Sequence, residues 1–317
     1  MVKEGINDKG FALLVSLMIV AILSSLAFRF HHLVIVNHSS TANLRDIILS
    51  YNTARSGFEA SLSILSSDND QVDSLLDEWS TFHGSEGLPS IQVNGGNFYC
   101  KIVDENRKIA LNRLILPDGK VNQRYLDILM RLFDLLEIDR DLIDSLLDWL
   151  DKDSERRPKG AEDIDYMAMD EPYPCKNGPL ATLSELSLIK GFSEWMKREF
   201  VDGKTLEDFL TVAPTDGKIN INTADPVLLQ ALSKRISHEL AMRVVDFRKE
   251  HPFHSPGDLK LVRGMEEIYG EIKDIITVSS DCFSLAIRGE VSRASTWIFA
   301  TIKREDGRFR ILNYRRT

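Results

Sequence analysis

An uncharged apolar run from Phe11 to Phe28 opens the hydrophobic pattern, and the apolar spacing does not stop there. As a helix rising about 1.5 Å per residue, its 18 residues reach roughly 27 Å, close to the ~30 Å hydrocarbon core of a bilayer. Beyond Phe28, Leu33, Val34, Val36, Leu44, Ile47, Ile48, Tyr51, Ala54, Phe58, Leu62 and Leu65 continue mostly at steps of three or four without a proline. That spacing predicts one long helix, half in lipid and half out. The competing reading is a secretory signal removed near Ser25-Leu26-Ala27, although such h-regions usually run only about 7 to 15 residues.

After this helix the period changes twice. Residues 66 to 90 are polar and turn-rich, with a short helix predicted near Val72 to Trp79. Ile91 to Val103 alternates, with Gly95-Gly96 as the turn of a hairpin, and Lys108 to Leu111 reads as a further short strand. Asn122 to Leu136 and Asp139 to Leu150 then carry helical spacing, the second with Leu142, Ile143, Leu146, Leu147 and Leu150 on one face. Helical patterns continue to about Ile276. The end of the chain returns to alternation in "CFSLAIRGEV", "STWIFATIKR" and "RFRILNYRR", with Glu305-Asp306-Gly307 as a tight turn. Strands, a helical block and strands again predict an α+β fold in which an all-α domain is inserted into a small antiparallel sheet. The divisions expected are residues 11–28 in the membrane, 29–66 as the rest of the long helix, 67–112 as the first part of the sheet, 113–276 as the insertion and 277–317 as the returning strands.

Composition narrows the function. With 317 residues and 43% apolar content the chain can bury a sizeable core. A net charge of -9 argues against general affinity for nucleic acid or anionic lipid. Cys100, Cys175 and Cys282 are too few and too scattered for a zinc site or a disulfide framework, and the sequence does not choose between one pair and three buried thiols.

The densest chemistry lies at residues 139 to 171, where twelve acids face five bases. A solvated acidic face is the plain explanation. Against it, Asp151, Asp153, Glu155 and Glu162 fall at positions 1, 3, 5 and 12 of an EF-hand-like count, but Arg156 replaces the expected glycine and Pro158 stiffens the middle. A different calcium loop is the better expectation, since hard oxygen ligands cluster where a helix ends in unsatisfied carbonyls. No Ser-His-Asp or Cys-His arrangement announces itself among the seven histidines, so no catalytic residue and no enzyme is expected.

Around Gly191 and Gly264, "LSELSLIKGFSEW" and "FHSPGDLKLVRGMEEIYGEI" look like helix-hairpin-helix units, with Asn222-Thr223-Ala224-Asp225-Pro226 as a polar helix start. DNA-binding hairpins of this kind offer backbone N–H groups to phosphate and surround them with Lys or Arg. Here Glu266 and Glu267 follow the glycine, and residues 215 to 280 hold nine bases against ten acids. The electrostatic footprint for nucleic acid is missing. A membrane-anchored DNA-binding protein of a competence-type system remains the alternative reading.

The leader ending in Lys9-Gly10 before Phe11 resembles the signal of type IV pilins and pseudopilins. Together with "LLDWLDKD", "GAEDIDY", "NGPLATLSELSLIKG" and "INTADPVLLQAL", it resembles the GspK family of minor pseudopilins of the type II secretion system over nearly the whole chain. The resemblance implies residues 1–10 as a leader cut between Gly10 and Phe11 by prepilin peptidase, with N-methylation of Phe11 and retention of the apolar run in the inner membrane. Val15 stands where the pilin family generally carries Glu. The resemblance further implies a pilin-like fold with a helical insertion of helix-hairpin-helix or SAM-like units, and structural calcium. Its ligands would be Asp151, Asp153, Glu162 and Asp163, with Asp148 and Asp165 as further candidates. It also implies a place at the pseudopilus tip, with GspI and GspJ as partners and then GspH and the major pseudopilin GspG, and no role for nucleic acid.

Overall fold

The computed structural model describes residues 8–68, 71–82, 91–93, 95–305 and 307–317. Helix α1 (Asp8–Ser67) runs unbroken for 60 residues, about 90 Å at the usual rise. Its first half is exposed all round, whereas Ala54, Phe58 and Leu65 are buried together with Ser50, Thr53 and Ser61. The predicted short helix appears only as α2 (Glu78–Thr81), whose Trp79 packs edge-on against Phe283 at 5.4 Å. Strands β1 (Ile91–Val93) and β2 (Gly96–Asp104) form the predicted hairpin, with Gly95 at φ +78° supplying a turn conformation that costs other residues more.

Strand β2 does not continue into its sheet neighbour in sequence. The chain leaves for a helical block comprising β3 (Ile109–Ala110), α3 (Gln123–Leu135), α4 (Leu142–Leu150), α5 (Asp163–Tyr166), β4 (Leu210–Thr211), β5 (Ile219–Asn220), α6 (Pro226–Leu232), α7 (His238–Glu250), α8 (Tyr269–Ile272) and β6 (Ile276–Thr277). It then returns through β7 (Cys282–Val291), β8 (Ala294–Glu305) and β9 (Arg308–Arg316). The resulting sheet has the order β1-β2-β7-β8-β9 and is antiparallel throughout. The turn between β8 and β9 is where expected, with Gly307 at φ +71°, while Asp306 lies outside the described residues.

One face of the sheet takes α1 at backbone distance. A Cβ added to Gly289 would lie 2.2 Å from the Ser50 carbonyl and 2.4 Å from the Ala54 nitrogen, and one added to Gly57 would lie 2.7 Å from the Phe98 ring. Two glycines, one on each element, let helix and strand cross this closely. Phe98, Cys100, Ile102, Leu285, Ile287, Ile298, Ala300 and Ile302 fill the same core by strict alternation.

The helical block has its own core, and that core redraws the expected boundaries. Ile109, Ala110 and Leu111 belong to it, as does Val278, so the insertion extends beyond residues 113–276 at both ends. The predicted strand at Lys108 to Leu111 is reduced to β3, which pairs parallel with β4; β5 pairs parallel with β6, so the block is not purely α. Residues Asp139 to Asp141 form a turn, and α4 starts at Leu142. All three cysteines are buried and free.

A polar junction ties the two cores together. Arg304 donates to both Asp73 oxygens (2.9 and 3.1 Å), Ser280 N donates to Asp73 (2.7 Å), and Asp104 accepts from Asn106 N (2.8 Å), Thr223 Oγ1 (2.5 Å) and Asn220 Nδ2 (3.2 Å). Asp73 and Asp104 are almost wholly buried. Thr223 of "INTADP", with Asn220 just before it, thus meets the sheet domain, whereas Asn222 bonds the Phe253 backbone and Asp225 accepts from Val227 N inside the helical block.

Candidate metal centre

Helix α4 presents a buried apolar face and ends at Leu150, so Asp151 follows its last turn where unpaired carbonyls carry partial negative charge. The chain then loops back over the helix. Asp148, fully buried, accepts from Arg157 N (3.2 Å) and from Arg157 Nη1 (2.6 Å), and the same Nη1 donates to Asp151 Oδ2 (2.5 Å). Gly160 completes the wrap, since a Cβ there would come within 1.8 Å of Asp148 Oδ2. The loop delivers Glu162 to the start of α5, where its backbone N donates to Asp165 Oδ2 (3.1 Å).

Three acids converge as a result. One oxygen each from Asp151, Asp153 and Glu162 lies within 4.8 Å of the others. Asp151 Oδ1 and both Glu162 carboxylate oxygens are buried with no hydrogen-bond partner. Asn177 joins the neighbourhood: its Nδ2 donates to the Asp153 carbonyl (3.0 Å), while its Oδ1 is buried and unpartnered. Burial first, then Asp148, Asp151, Asp153 and Asp163, push the Glu162 carboxyl up to about 7. Burial also raises Asp151, against the lowering pull of Arg157. Unpaired buried oxygens repelling one another are costly, and a hard divalent cation with flexible oxygen coordination satisfies them, which is the chemistry of calcium. The residues fit the ion.

The other three expected ligands are engaged elsewhere. Asp148 holds Arg157. Asp163 Oδ1 accepts from Cys175 N (2.6 Å), and Asp165 pairs with Arg156 (3.1 Å) besides accepting from Glu162 N. Asn177 and Arg157 are absent from the sequence-based set. A lone amide far along the chain and a base amid acids give no periodic signal.

Near the N-terminus, Gly10 and Phe11 lie inside α1 without a break, Phe11 and Val15 are exposed, and residues 1–7 lie outside the described residues. The segment from Gly10 to Ser67 is the one described helix long and apolar enough to cross a membrane. The hairpin glycines recur in two matching settings. Gly191 and Gly264 both have positive φ, and each leaves room for a leucine of an earlier helix, Leu142 or Leu240. At the second hairpin, Gly264 N donates to Glu266 Oε2 (2.6 Å), so a carboxylate of the chain itself occupies a donor that a DNA phosphate would need.

Residues 107–214 match the family described as type II secretion system (T2SS), protein K, and residues 215–271 match the helix-hairpin-helix motif. The type II secretion system protein K of Pseudomonas aeruginosa is 33% identical over 171 residues, 52% of this chain and 48% of that protein. Its counterpart in Klebsiella pneumoniae is 29% identical over 164 residues, 47% of each. The chain spans about half the length of the curated relatives it matches. In fold it is similar to a chain of the crystal structure of the GspK-GspI-GspJ complex from enterotoxigenic Escherichia coli, with a TM-score of 0.67 and 20% identity over 89% of this chain and 99% of that one. The family match over residues 107–214, the curated relatives and the fold all point to the type II secretion system K proteins.

Proposed function

We propose that this chain is a minor pseudopilin of a type II secretion system, which starts the pseudopilus and caps its tip for export of folded proteins across the outer membrane. The observation that carries this reading is the architecture: an apolar helix that continues from a candidate membrane span onto an antiparallel sheet, with a bulky block inserted between β2 and β7. Leader cleavage between Gly10 and Phe11 keeps the span, leaving the N-terminus cytoplasmic and both cores periplasmic. GspI and GspJ are the partners expected first, because the fold match is to a chain from their complex; GspH and GspG follow.

Val15 fits a first subunit. A carboxylate in lipid costs roughly 2.5 to 3.5 kcal/mol on insertion scales and persists only where it finds a partner charge. The first subunit of a filament has no earlier neighbour to supply one. The bulk of the block inserted between β2 and β7 would stop further stacking. Calcium would be held by Asp151, Asp153 and Glu162, with Asn177 beside them, and would remove the repulsion among these acids. The DNA-binding alternative rests on the hairpin motif alone, and Glu266 at the hairpin counts against it. Imaging of reconstituted pseudopili with this chain labelled tests the reading: label at one end only is expected, and label spaced along the shaft would refute it.

A further inference from the structure

Beside the three converging acids the surface changes character. Helix α5 is a single turn, and Ile164 (78% exposed) on it and Met167 (55% exposed), the residue that caps its C-terminal end in helical backbone, stand three residues apart on one side. Leu188, 45% exposed, is held next to this helix: Tyr173 Oη donates to Leu188 O (2.6 Å), Lys190 N donates to Tyr166 Oη (3.4 Å), and the Tyr166 and Tyr173 rings pack at 5.4 Å. Large apolar side chains grouped in the open and rimmed by charge mark interaction surfaces.

The rim is acidic. Glu155, Asp163, Asp170 and Glu171 are exposed, and none of them forms an ion pair among the described residues; Arg156 is already paired with Asp165, leaving Lys152 and Lys190 as the neighbouring bases. We propose that this patch docks a basic segment bearing apolar side chains on a partner protein, and that the cation held by Asp151, Asp153 and Glu162 sets its presentation. Charge decides the occupant, since an anionic lipid surface is repelled by the same rim that attracts Lys and Arg. Geometry supplies the coupling. Glu162 immediately precedes α5 and is bonded to Asp165 within it, and Asp163 holds Cys175 N, so fixing the Glu162 carboxylate fixes the turn that carries Ile164 and Met167.

The coupling rests on the calcium reading above, and the test separates the two. The full chain in nonionic detergent is titrated with two labelled peptides of equal length, one of Lys and Leu and one of Glu and Leu, in calcium or in EGTA. Fluorescence anisotropy is read against a micelle blank, and calcium binding is measured in parallel by calorimetry. The Lys/Leu peptide is expected to bind about tenfold more tightly with calcium, and about tenfold more weakly to the Ile164→Ser, Met167→Ser double variant, which leaves the acids intact. Calcium uptake without a change in peptide affinity overturns the coupling while the calcium reading stands; no calcium uptake overturns both. Equal binding of the two peptides, or unchanged binding to the double variant, overturns the docking surface itself. Calcium-dependent dimers abolished by the same substitutions would assign the face to a second copy and end the proposal.

Discussion

The sheet core and the helical block are held together by opposite means. Around α1 and β7 the contacts are apolar and backbone-close, set by Gly57 and Gly289, and the buried polar groups are hydroxyls such as Ser50, which bonds Thr296 at 2.8 Å. The helical block instead buries Asp148 in the last turn of α4 and Asp151 and Glu162 in the loop that follows it, and its link to the sheet buries Asp73 and Asp104. Apolar burial is indifferent to small ions and nearly so to pH. Buried carboxylates are not. The lesson is that one half of the molecule is a fixed platform and the other is conditional on what its acids bind.

The sharpest way to break that division is at the junction. Arg304→Ala leaves Asp73 buried beside Asp104 without its cation, and the expected loss is about 3 to 5 kcal/mol in denaturant unfolding. Burial raises Asp73 to about 7 despite Arg304, so the Asp73→Asn variant should lose less than Arg304→Ala. Next comes calcium. An ion bound only by the folded block adds about 2.7 kcal/mol at a hundredfold excess over Kd, so melting of chelator-stripped protein should shift upward with calcium and scarcely with magnesium, which demands stricter geometry. The platform provides the contrasting case: Gly289→Ala forces the Ser50 and Ala54 backbone away and should cost about 1 to 3 kcal/mol, equally in calcium and in EGTA.

The smallest effect sharpens the comparison by pH. Without the cation, Glu162 holds its proton up to about 7, above the ordinary value of 4.5, so it binds more protons folded than unfolded. Its contribution is therefore fully present below about pH 4.5 and is lost as pH rises through 7. In EGTA the melting temperature of Glu162→Gln should fall less than wild type between pH 5 and 8, a comparison that cancels the parallel titration of Asp73. In calcium the difference between wild type and Glu162→Gln should reverse, the wild type gaining on the variant as pH rises, because the ion requires the ionised carboxylate.

Local pattern made much of this legible. Alternation with a Gly95 turn placed the first hairpin, and the three-four spacing of Ile143, Leu146, Leu147 and Leu150 placed the buried face of α4. The acids Asp151, Asp153 and Glu162 were readable because hard ligands crowd one helix end. What stayed hidden depends on distant partners. Nothing around Ile109 says that it pairs with Leu210 and joins the helical core, and nothing near Asp148 says that Arg157 will claim it. Asn177 enters the site only because Asp163 draws Cys175 inward and a left-handed backbone at Asn177, φ +47°, turns its amide back.

Hydrogen exchange on the full chain in calcium and in EGTA tests the division between platform and conditional block most directly. Calcium should slow exchange in residues 142–178, with the largest change around α5, and leave β7 to β9 unchanged. Equal protection in both conditions across 142–178, or a calcium effect spread evenly over the sheet, would contradict it.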